Sequence, residues 1–83
     1  MQKLIPARST RERLGGISTM TEWRRRKEGI LPPVITISGR NFDREHEVDA
    51  IINAYAAGAS DDDVRAIVEL FVAERVASGG NKN

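Results

Sequence analysis

The chain has no cysteine and a single histidine, His46, among 83 residues. Neither a disulfide frame nor a thiolate zinc site is open to it. An absence of thiols fits a reducing compartment, and the expected location is the cytoplasm. Aromatic residues are scarce, with one Trp, one Tyr and two Phe. No apolar run approaches the roughly 20 residues that span a bilayer, so no membrane partner is expected. The opening Met1-Gln2-Lys3-Leu4-Ile5-Pro6 is too short and too polar to read as a signal peptide. There is no P-loop, no GxGxxG, and no nucleophile with a paired base. Neither an enzyme activity nor a cofactor is expected. His46 reads as an exposed helix residue, and Asp61-Asp62-Asp63 as helix capping instead of a metal site.

What is present points to one small folded domain. Hydrophobic residues make up 40% of the chain, too many for a disordered segment. The net charge of +1 conceals an asymmetry. Residues 1–44 hold ten Lys/Arg against four acids, and residues 45–83 hold three against eight. A basic half joined to an acidic half suits a nucleic-acid face and a second, different face.

Local signals divide the chain into short elements. Residues 1–8 read as an extended lead-in, with Leu4 and Ile5 available for a small strand or a core plug. Ser9-Thr10-Arg11-Glu12 fits a capping box with Ser9 as N-cap, and Gly15-Gly16 stops that helix. Leu14 is its clear core residue. Ser18 caps a second helix that runs to about Glu28 and ends at Gly29. No acid is expected in its first turn, which leaves the positive helix start free for a phosphate. Pro32-Pro33 blocks further helix. Val34-Ile35-Thr36-Ile37 reads as a strand and Asn41-Phe42 as its return, with Gly39 and Arg40 at the hairpin tip. A third helix is expected from Asp43 or Arg44 to Gly58, with Val48, Ile51, Ile52 and Tyr55 as its stripe. A fourth begins at the N-cap Ser60, and Val64, Ile67, Val68, Phe71, Val72 and Val76 recur on one side of it. Leu70 flanks that stripe.

The order helix, turn, helix, hairpin, helix, helix predicts a mainly α fold with a small β-hairpin. It reads as a winged helix-turn-helix with an additional C-terminal helix. The expected divisions are a DNA-binding unit over 1–58, an amphipathic helix over 59–78 that packs on it or on a partner, and a disordered tail over 79–83.

The second helix carries the functional expectation. At 3.6 residues per turn, Met20 and Trp23 lie about 60° apart with Thr19 beside them. These predict the buried side, with the stem of Arg26 alongside. Ser18, Thr21, Arg24 and Arg25 then face the major groove. Arginine forks onto guanine O6 and N7, so Arg24 and Arg25 are the candidates for base reading. Thr21 suits a thymine methyl, while Ser18 and Lys27 suit phosphates. Thr19, at the margin, stays among the candidate contacts. On the hairpin, Arg40 is placed for a minor groove or a phosphate, with Asn41 and Arg44 as lesser candidates.

Gly16-Ile17-Ser18-Thr19-Met20-Thr21-Glu22-Trp23-Arg24 resembles the G-[VI]-S-x-M-T-x-W-R segment of AlpA-like and excisionase-like small winged-helix proteins, relatives of the MerR DNA-binding domain. Lys27-Glu28-Gly29-Ile30-Leu31-Pro32 resembles their K-[ED]-G-x-[FL]-P turn. Ile35 to Phe42 resembles the wing, and Arg44 to Ile51 the closing helix. The resemblance covers about residues 9–55. It implies a bacterial or phage DNA-binding protein of the cytoplasm, acting as a recombination directionality factor or as a transcription regulator. A directionality factor assembles on repeated sites, bends attachment-site DNA and turns a tyrosine integrase towards excision. Its implied partners are double-stranded DNA, neighbouring copies of itself and the integrase. From a different class, an antitoxin or anti-repressor module using the fourth helix is the alternative. The chain departs from the family at Glu22 and Arg25, where many relatives are apolar, and at Arg11, where an aliphatic is commoner. Those departures predict a thinly packed underside for the second helix.

Overall fold

The computed structural model describes residues 3–80, with side chains described through residue 77. Seven elements follow one another: β1 (Leu4–Pro6), α1 (Ala7–Arg13), α2 (Thr19–Lys27), β2 (Ile35–Ile37), β3 (Arg40–Arg44), α3 (Glu45–Ala56) and α4 (Asp61–Gly80). The three strands form one antiparallel sheet in the order β1-β3-β2. The lead-in is therefore a strand, and Ile5 within it is also a core residue at 5% exposure.

The β2–β3 hairpin closes through Ser38 and Gly39, both with positive φ (51° and 78°). That pair of left-handed residues makes the two-residue turn whose twist matches the strands it joins. Ile37 pairs with Arg40, Thr36 with Asn41 and Ile35 with Phe42. On its other edge β3 pairs with β1, setting Ile5 opposite Asp43.

One helix start differs from expectation. α1 begins at Ala7 with Pro6 at the N-cap, and no side chain caps it, so Ser9 lies inside the helix and the capping box does not form. The physical reason is tertiary. Thr10 is fully buried and donates to Asp43 Oδ2 at 2.6 Å, which requires the helix to be under way a turn earlier. α3 begins at Glu45 with Arg44 as N-cap, because Asp43 is held in the sheet opposite Ile5.

Three other ends agree with the local chemistry. Gly15 and Gly16 both take positive φ, and the Gly16 and Ile17 amides return to the Arg11 carbonyl at 2.9 and 3.2 Å. A left-handed pair suits glycine and stops the helix. Ser18 Oγ accepts from the Thr21 amide at 3.1 Å. Ser60 and Asp63 cap α4 reciprocally, Asp63 N to Ser60 Oγ at 3.2 Å and Ser60 N to Asp63 Oδ2 at 3.1 Å.

The core is aliphatic. Ile30 and Leu31, in the loop after α2, meet Ile51 of α3 and Val64 and Val68 of α4, with Leu14, Tyr55 and Val72 packed against them. Val48 is equally buried. The C-terminal helix thus packs on the rest of the chain through the first half of its apolar stripe. Leu70 and Val76 stay exposed, so the stripe does not bury as far as expected. The second half of α4 adds charged contacts to those of Val72 and Phe71: Arg75 reaches Glu47 on α3 and donates to the Pro33 carbonyl at 2.8 Å. The expected tail over 79–83 falls, beyond the last two residues of α4, outside the described residues. No described helix is long and apolar enough to cross a membrane.

Candidate nucleic-acid interface

The rotation of α2 decides what this surface offers, and it differs from the sequence expectation. Glu22 is 6% exposed, whereas Trp23 is 58% and Met20 70% exposed. The indole does not anchor the helix. Glu22 belongs to the first turn of α2, contrary to expectation, but points inward.

A lattice of ion pairs takes the place of an apolar underside. Arg26 donates from Nε to Glu22 at 2.7 Å and from both terminal nitrogens to Asp43 at 2.9 Å. It also donates to the Pro32 carbonyl. Arg11 of α1 donates to the other Glu22 oxygen at 2.7 Å, and Thr10 completes Asp43. Two cations meet two carboxylates, so the cluster is neutral. It ties α1, α2, β3 and the proline loop to one another. No buried side-chain nitrogen or oxygen among the described residues lacks a partner. Burial works to lower the Arg26 guanidinium pKa, but Asp43 and then Glu22 outweigh it, so the net shift is upward. Arg11, Glu22, Arg26 and Asp43 thus occupy the underside of α2, where apolar residues were expected.

With Glu22 and Arg26 turned in, Met20, Trp23, Arg24 and Lys27 come together on the outward face. Lys27 Nζ sits 5.0 Å from the Trp23 ring centroid, within cation–π range. Thr19 is exposed at the start of the helix. Ser18 and Thr21 hydrogen-bond one another at 3.0 Å, and Thr21 is half-buried. Arg25 is half-buried and turns towards α3. There it lines, with Arg24, Arg13 and Tyr55, a cleft of about 680 Å³. The Tyr55 hydroxyl donates to Asp61 at 2.8 Å. Its pKa is pushed up to about 12, first by burial and then by Asp61.

At the hairpin tip Arg40 is exposed at the start of β3. Asn41 Oδ1 accepts from Thr36 Oγ1 at 3.0 Å across the hairpin. Arg44 stands at the opposite end of β3, half-buried and 3.8 Å from Glu47, apart from the tip.

Ion pairing separates the cations into two sets. Arg11, Arg13, Arg26, Arg65 and Arg75 are each bound to a carboxylate, and Lys3 and Arg44 approach one more loosely. Arg13 lies between Glu45 and Asp49. Its hydrogen bond is the main cause that lowers the Glu45 pKa. Arg8, Arg24, Arg25, Lys27 and Arg40 pair with no described carboxylate. All five come from α1, α2 and the hairpin tip. Arg8 escaped the sequence reading, although it lies one turn before Arg11, the α1 residue that touches α2. Met20 and Trp23 escaped it too, because their apolar character suggested burial.

The described residues contain no group of three or more His, Asp or Glu side chains placed to hold a metal ion. His46 is exposed, its ring packed edge-on against Phe71 at 5.8 Å. Compared with protein-family models, curated proteins and solved structures, the chain matches none of them.

Proposed function

We propose that this protein binds double-stranded DNA as a winged helix-turn-helix module. In this reading α1, the glycine turn and α2 form the helix-turn-helix, and β2–β3 forms the wing. The observation that carries it is the sorting of charge. Among the described residues, the cations left without carboxylates all lie on α1, α2 and the hairpin tip, while Arg11, Arg13, Arg26, Arg65 and Arg75 are each bound to an acid. Unneutralised arginine and lysine on an exposed helix suit phosphates and base edges. The outward face of α2 enters the major groove, with Arg24 reading a base and Lys27 and Arg8 on phosphates. Arg40 meets the backbone or the minor groove beside it.

Of the two roles that the resemblance to excisionase-like proteins implies, the recombination directionality factor is the one proposed, with a transcription regulator as the alternative. Copies assemble side by side on attachment-site DNA, bend it, and favour excision by an integrase. Exposed Leu70 and Val76 on α4 supply an apolar surface for the neighbouring copy or the integrase. The test is a gel-shift titration on the attachment site and promoters of the element that encodes the protein, followed by an integrase excision assay. Retardation and stimulated excision support the role. Retardation on promoters alone favours a transcription regulator. No retardation of any duplex rejects DNA binding.

A further inference from the structure

The outward face of α2 is more than a row of cations. Its centre is apolar, formed by Met20 and Trp23, whose exposures of 70% and 58% leave most of their surface to solvent. Large exposed apolar groups on a small domain mark a contact surface. The only acid within α2, Glu22, is turned inward and held by Arg11 and Arg26, so it does not oppose an anionic partner. Arg24 and Lys27 flank the apolar pair. A cationic rim around an apolar centre matches one surface in particular. In the major groove, phosphates border base edges whose one apolar group is the C5 methyl of thymine.

Resting on the DNA-binding reading above, we infer that Met20 and Trp23 form a methyl-reading edge that selects thymine-containing steps in the major groove. One turn separates the two residues, about 4.5 Å along the helix axis. Neighbouring bases on one strand are spaced by about 3.4 Å, so the pair reaches adjacent positions. Lys27 Nζ sits 5.0 Å from the indole centroid, a cation beside the apolar pair that suits a phosphate bordering the groove. The unbranched thioether of Met20 adapts to the second methyl. Specificity is then shared. Arg24 reads hydrogen-bonding groups, and the apolar pair reads methyls.

The experiment begins with selection of a bound sequence from a randomised duplex pool using the full chain. The selected duplex is then synthesised with deoxyuridine replacing thymidine, which removes only the C5 methyls. Wild-type protein is expected to lose about fourfold in affinity per contacted methyl, and about 15-fold for two. Met20→Ala/Trp23→Ala, changed only at exposed positions, is expected to bind both duplexes equally, with an unchanged circular dichroism spectrum and melting profile. Equal binding of both duplexes by wild type overturns the inference while leaving DNA binding in place. A deoxyuridine penalty that persists undiminished in the double variant also overturns it, because other residues then read the methyls. If the pool yields no bound duplex, DNA binding itself fails and this inference falls with it.

Discussion

Asp43→Ala is the sharpest test of how α2 is held. Asp43 is 2% exposed at its side chain and accepts three hydrogen bonds, two from Arg26 and one from Thr10. The surrounding cluster balances Arg11 and Arg26 against Glu22 and Asp43. Removing one carboxylate leaves a surplus positive charge on a guanidinium whose side chain is only 12% exposed. Breaking a buried pair by deleting one partner costs about 3–5 kcal/mol, because the remaining charge stays desolvated. A domain of this size has on the order of 5–15 kcal/mol in total, so the variant approaches marginal folding. Urea unfolding followed by circular dichroism reads the change. With a denaturant slope of about 2 kcal/mol/M, the midpoint falls by roughly 2 M. Arg26→Met leaves Asp43 without a cation and Glu22 with Arg11 alone, and is expected to cost a comparable amount. Combining the two is expected to cost less than their sum, since both act on one cluster. An Asp43→Ala midpoint within about 0.5 M of wild type, a change of roughly 1 kcal/mol, refutes the account of α2 anchoring.

Other expectations follow from the same geometry. Arg24→Ala should relax sequence preference by roughly 1–3 kcal/mol at one base pair, measured by competition between selected and altered duplexes. Arg25→Ala should have the smaller effect of the two, because Arg25 is half-buried whereas Arg24 is exposed. Arg40→Ala should weaken binding evenly across sequences and reduce the salt slope by about one unit, read from affinities at several salt concentrations. Tyr55 is the only tyrosine, so ultraviolet absorbance reports its ionisation directly, with a midpoint expected at about 12. Asp61→Ala should lower that midpoint. The raised value favours the neutral phenol in the fold, so its stabilising contribution is complete below about pH 10 and is lost as pH rises through the folded midpoint. Ser60→Ala should cost about 1 kcal/mol in thermal or urea unfolding by removing the α4 cap.

Elements governed by neighbouring residues were legible in the sequence. Ser18 and Ser60 as caps, the Gly15-Gly16 stop and Gly39 in the hairpin turn depend on chemistry within a few positions, although the turn pairs Gly39 with Ser38 and leaves Arg40 in the strand. The order of the helices and the hairpin followed from them. The rotation of α2 did not. Wheel logic buries Trp23 and Met20 and exposes charge, but Glu22 and Arg26 find partners at Arg11 and Asp43, separated from them by 11 and 17 positions. A buried salt lattice is invisible until those segments are brought together. The same cluster explains why α1 starts at Ala7: burial of Thr10 against Asp43, 33 residues away, overrides the local cap at Ser9. At the candidate interface, Arg24, Lys27 and Arg40 were visible as cations. Their distinction from Arg11, Arg13 and Arg26 needed the ion pairs. Arg8 emerged only by that subtraction.

In the proposed function the outward face of α2 meets duplex DNA. Trp23 lies on that face and is the only tryptophan. The direct measurement is its fluorescence during titration with a selected duplex, alongside binding followed by anisotropy of a dye on the DNA. Indole emission is expected to change in step with anisotropy, and added salt to reverse both together. Duplex binding with the Trp23 signal unaltered throughout would place the DNA on another surface and contradict that reading.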